Sequence, residues 1–163
     1  MPVTYKPEVG SLSEVPNGSW QSLVDQSAAV ADQEYLVGFD SIDFERGMRL
    51  ASGNRIYVDN SGLYNVQYAI QFHNSGGGGS GAHAHIWFKV NGSTVAETGV
   101  RQSVTTNNEY QTSSRDYFLT LVAGDYLQIA WSTNHTNIGL YHEPAASPVP
   151  VVASAVLTMT MVG

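Results

Sequence analysis

Three histidines, His73, His83 and His85, stand close together in a chain of 163 residues. His83 and His85 are two apart, so on an extended backbone they leave the same face, and His73 ends the run before them. Imidazoles at such spacing can hold zinc, but no acid stands near them to orient the rings. The plainer reading makes them polar, outward-facing positions beside a glycine-rich segment. Asp40, Asp43 and Glu45 form a second group, with Asp43 and Glu45 on one face of a strand and Arg46 and Arg49 beside them as partners. A glycosidase pair would have to be completed by the fold. The segment Ser75–Gly81 reads SGGGGSG and leads into Ala82-His83, without the lysine or helix start of a phosphate loop. Asp125 reads as a turn residue, because calcium needs more clustered carboxylates than this stretch offers. With no cysteine there is no thiolate nucleophile and no disulfide. We therefore expect no enzyme and no cofactor, and no metal site beyond the weak histidine set.

The elements that must carry these residues are strands. Across Gly62–His73, Tyr64, Val66, Tyr68, Ile70 and Phe72 alternate with polar or small residues, the period of a half-buried strand. Ala82, Ala84, Ile86, Phe88 and Val90 repeat the pattern, and Asn91-Gly92 then signals a hairpin with a return strand over 93–101. Tyr117–Val122 and Tyr126–Trp131 read as another pair around Ala123-Gly124-Asp125. Ile138–His142 is a short strand, and Pro144, Pro148 and Pro150 interrupt the chain before the last one. That last strand, Val151–Val162, is apolar on both faces and so belongs inside its sheet. Helical spacing is confined to 19–31, where Trp20, Leu23, Val24 and Val30 can share a stripe with Ser19 as cap.

The charge is unevenly placed. The formal net charge is -7, and residues 1–45 carry all of it, with eight acids against Lys6 alone. An acidic leader on a neutral body argues against nucleic acid and anionic membrane as partners. No run is long and apolar enough for a membrane helix, and the start lacks the basic and apolar stretches of a signal peptide, so export by that route is not expected. Residues 1–34 read as an extended N-terminal arm with a possible short helix, and 35–163 as one β domain. On that arm Trp20, Leu23 and Val24 would be an exposed anchor for a groove on a partner.

Eight to ten short strands in one domain imply an all-β protein of two packed antiparallel sheets, a sandwich or jelly roll. Gly62-Leu63-Tyr64 opening a strand, Asn91-Gly92 at the next hairpin, Leu121-Val122-Ala123-Gly124-Asp125-Tyr126 before a strand ending in Trp131, and an apolar final strand occur in a telling order. Over 35–163 that order resembles the trimeric jelly roll of tumour necrosis factor and the complement globular head. Within that superfamily the chain is most similar to stand-alone versions in tailed bacteriophage virions. The resemblance implies a homotrimer, with Tyr64, Tyr68, Tyr126, Tyr141 and Met161 as interface candidates, and histidines that could meet across its axis.

The function so implied is a capsid decoration protein, bound to the major capsid protein on the virion surface and assembled in the host bacterial cytoplasm. The rival is a receptor-binding fibre tip, whose loops around Gly76–Gly79 and Thr105–Thr112 would grip a cell-surface glycan.

Overall fold

A computed structural model describes residues 15–77 and 79–163. Every regular element among them is a strand, and every strand pairing is antiparallel. In chain order these are β1 (Asn17–Ser22), β2 (Gln26–Ser27), β3 (Tyr35–Leu36), β4 (Ser41–Arg46), β5 (Met48–Ala51), β6 (Arg55–Val58) and β7 (Gly62–Asn74). There follow β8 (His83–Val90), β9 (Ser93–Thr94), β10 (Val100–Ser103), β11 (Tyr110–Leu121), β12 (Tyr126–Thr133), β13 (Ile138–Leu140) and β14 (Ala155–Met161). The first sheet runs β11-β7-β14-β1-β4, with β13 and β2 continuing beside the far end of β7. The second runs β10-β8-β12-β6-β5, with β3 on β12 and β9 on β8.

The alternation in β7 does what its period requires. Tyr64, Val66, Tyr68, Ile70 and Phe72 are buried, while the residues between them face outward. From the second sheet Ile86, Phe88, Leu127, Ile129 and Trp131 complete one core. Across it the rings of Tyr68 and Phe88 meet edge to face at 5.6 Å, and Phe88 meets Tyr117 of β11 in the same way at 5.2 Å. A fully buried ring such as that of Phe88 contributes on the order of 1.5–3 kcal/mol through burial alone. The final strand lies between β7 and β1, so both its edges are engaged; Ala155, Leu157 and Met159 are buried, while Thr160 and Val162 on the other face are exposed.

Asn91 and Gly92 both take positive φ, 52° and 80°, the turn whose twist suits a two-residue hairpin. The return strand is broken, however. β9 ends after two residues, and the Thr98 hydroxyl then donates to Val95 O and accepts Phe88 N–H, diverting the chain before β10 begins.

Two expectations are corrected by strand partners that lie far away in the chain. Residues 19–31 form no helix: Asn17–Ser22 is a strand held between β14 and β4. Gly18, Trp20 and Ser22 turn inward, and the indole covers Gly18, where a side chain would collide with it. Likewise β11 and β12 are not a pair. β11 lies along β7 in the first sheet and β12 along β8 in the second, so the turn at 122–125 crosses between layers. The Asp125 carboxylate holds that crossing by accepting Val122 N–H at 2.8 Å and the Asn91 amide at 2.7 Å.

Candidate functional site

The outward face of the first sheet carries two contrasting ends. At one end Phe118, Leu63 and Val162 project from β11, from β7 and from just beyond β14, all on the same side. They form a row of apolar side chains that are 62%, 38% and 53% exposed. The middle of the face is polar, with Gln67, Ala69, Thr112, Ser114 and Thr158, and Asp116 stands opposite Gln67.

At the other end, about 33 Å further along β7, a second row crosses four strands. Tyr110, His73, Gly139 and Ser27 stand side by side on β11, β7, β13 and β2. His73 stacks on Tyr110 with centroids 4.3 Å apart, and Tyr141 leans on both rings at 4.9 and 5.5 Å. Gly139 has no side chain to add to the row, and a Cβ there would strike Gln26 O at 2.7 Å. A hollow of about 220 Å³ results, walled by His73 and Tyr141 on one side and by Asp25 and Ser27 on the other, with Ser75 and Asn137 at its rim.

The walls of the hollow are fastened from behind. The Gln26 amide donates to Ser22 Oγ and Gly38 O and accepts Gly38 N–H, fixing β2. Asp25 Oδ1 accepts His142 N–H at 2.9 Å and lies 3.0 Å from His142 Nδ1, which leaves Oδ2 free among the described residues. The Asn137 side chain lies so close to Gly76 that a Cβ there would come within 2.6 Å of it. The first glycine of the SGGGGSG segment thus seats a rim residue. The Tyr110 phenol is held above its usual range by desolvation, then by Tyr141 and by the Glu143 and Asp25 carboxylates. His73 Nε2 is buried and has no partner among the described residues.

The histidine set is not assembled. His73 is on the first sheet, while His83 and His85 face outward from the second, and the described residues contain no cluster of three metal-ligating side chains. His83 and His85 do meet, with centroids 4.7 Å apart. His83 Nδ1 lies 2.6 Å from Gly81 O. The Arg101 guanidinium stands 3.2 Å from it, and burial, His83 and Arg101 together lower the His85 pKa.

Nor do the acids of β4 share one face. A bulge between the pairs at Ser19 and Trp20 makes Asp43 the extra residue. Asp43 accepts the Ser19 hydroxyl at 2.7 Å and the Gln21 amide at 2.9 Å, whereas Glu45 turns to the Trp20 indole. Asp40 accepts Leu23 N–H. All three act as local acceptors, and Arg49 lies over the Tyr57 ring, forming no ion pair with them.

The remaining predicted residues scatter. Tyr64, Tyr68 and Met161 point between the sheets, Tyr126 lies outside the second sheet against Tyr57, and only Tyr141 reaches the outward face of the first. These five share no surface. Trp20 is fully buried, so it is no exposed anchor; Leu23 is half-buried and Val24 is 48% exposed. Within the arm expected over 1–34, Asn17–Ser22 and Gln26–Ser27 are strands of the first sheet, and residues 1–14 lie outside the described residues. The hollow's Gly139 and Asp25 went unnoticed in the sequence, since neither stands near another hollow residue with a motif spacing.

No protein-family model matches the chain, and no curated protein is detectably similar to it. Fold and site alone place it among all-β proteins of two antiparallel sheets. No helix is long and apolar enough to cross a membrane among the described residues.

Proposed function

We propose that the protein is a non-enzymatic structural module, a jelly-roll homotrimer that decorates the outer surface of a phage capsid. The order β4-β1-β14-β7-β11 in one layer and β5-β6-β12-β8-β10 in the other supports the jelly-roll topology, because the connections β7–β8, β10–β11 and β11–β12 between the long strands each change layer. The observation that carries self-association is the exposed group of Phe118, Leu63 and Val162 on a sheet face that the described residues leave uncovered. Apolar side chains in a contiguous exposed row favour burial against another surface, and a closed ring of identical copies covers three such faces at once. The capsid as partner rests on the resemblance of the turn and strand motifs to virion jelly rolls. A rigid trimer offers three linked contacts to a lattice and stabilises the state that it binds. Light scattering coupled to gel filtration tests the assembly: three times the 17.6 kDa chain mass is expected. Co-sedimentation with capsids lacking the protein tests the partner, and a monomer that stays in the supernatant defeats both parts.

A further inference from the structure

We infer that the hollow over Gly139 is a binding site for the ring of one neutral sugar. The inference goes beyond the structural role and holds whether or not the protein coats a capsid.

Size is the first argument. About 220 Å³ is below the roughly 300 Å³ at which drug-sized pockets begin, so the site takes a single-ring ligand. Chemistry is the second. One wall is aromatic, His73 and Tyr141, and the opposite wall and rim offer the Asp25 carboxylate, the Ser27 and Ser75 hydroxyls and the Asn137 amide. A pyranose has a complementary division, with a C–H face that packs on rings and a rim of hydroxyls that both donate and accept. Among the described residues Asp25 Oδ2 is an unengaged carboxylate acceptor in that wall, and hydrogen bonds to charged groups are the stronger kind.

Two other ligand classes fit worse. An anion would stand against the Asp25 carboxylate in the wall of the hollow. A quaternary or guanidinium cation needs ring faces set around an empty space, within about 6 Å of each centroid. Here the three rings lie 4.3 to 5.5 Å from one another and fill that space themselves. They make a wall, not a cage. The wall is also preformed, since β2, β13 and β7 are tied together by backbone pairing and by the Gln26 amide. Little ordering cost is left for the ligand to offset.

The test uses the full chain in its solution assembly and saturation-transfer NMR with methyl glycosides of glucose, galactose, mannose and N-acetylglucosamine, plus choline and inorganic phosphate. At least one glycoside should bind saturably with roughly millimolar affinity, the scale expected of so small a ligand. Asp25→Asn and Tyr141→Ala should each weaken it about tenfold, with the thermal midpoint and assembly mass reporting that the fold is intact. Should Tyr141→Ala lose the fold, Asp25→Asn, which keeps the side-chain shape and the acceptor for His142, decides alone. Saturation by no glycoside overturns the inference. So does glycoside binding that an intact Asp25→Asn variant leaves unchanged, or choline or phosphate displacing the bound sugar at lower concentration.

Discussion

The Trp20 indole donates to the Glu45 carboxylate at 2.7 Å, and Glu45 accepts Leu50 N–H as well, so one side chain ties β1, β4 and β5 together. Trp20 is fully buried and pairs with Leu157 on one side and Ile42 on the other. Trp20→Ala should therefore cost about 3–5 kcal/mol in urea denaturation. A docking anchor would behave differently, losing partner binding at unchanged stability.

Phe118 and Leu63 offer the converse case. Both are exposed, so Phe118→Ser and Leu63→Ser should change chain stability by no more than about 0.5 kcal/mol. If this row is the self-association surface, the double variant should elute as a smaller species, read by light scattering at matched concentrations.

Acid should act in part through Asp43 and Asp125. Asp43 is held below its usual range by the Gln21 amide and the Ser19 hydroxyl, and Asp125 by Val122 N–H and the Asn91 amide. A carboxyl whose folded pKa is depressed stabilises the fold above its unfolded value near 3.8 and ceases to as pH falls through the folded one. Stability should thus decline below about pH 4, and the Asp43→Asn, Asp125→Asn double variant should flatten that decline in a pH series of thermal melts.

Alkali should act through Tyr68, whose phenol burial pushes up to about 12. Its raised folded pKa gives stability that is complete below pH 10 and lost as pH climbs towards 12. The hydroxyl has no hydrogen-bond partner among the described residues, and neighbouring Ser113 Oγ has none either. Tyr68→Phe should consequently be neutral or stabilising by about 1 kcal/mol at pH 7, and should flatten the alkaline limb.

Where burial follows local alternation, the sequence is a good guide: β7 and β8 lie where their period-two patterns put them, and the last strand, expected over 151–162, forms over Ala155–Met161 inside its sheet. What could not be read is partnership. Ala123-Gly124-Asp125 has the residues of a hairpin turn, yet the strands on either side join different layers, because their partners β7 and β8 lie elsewhere in the chain. Trp20 looked like a helix stripe because its neighbours Leu157 and Ile42 are invisible in a local window. A one-residue bulge at Asp43 was enough to part it from Glu45. The hollow depended on the register that aligns His73, Gly139 and Ser27 across three strands, and register between distant strands leaves no local trace.

The place of β14 has a temporal consequence. It sits between β1 and β7, and its pairing of Leu157 with Trp20 and with Tyr68 joins segments that leave the ribosome well before it. Until Ala155–Met161 has been made, β1 and β7 have no common neighbour, and each presents an open edge. The nascent first sheet is therefore two separate ribbons, and closing it is a late, long-range event of the kind that makes β proteins slow to fold.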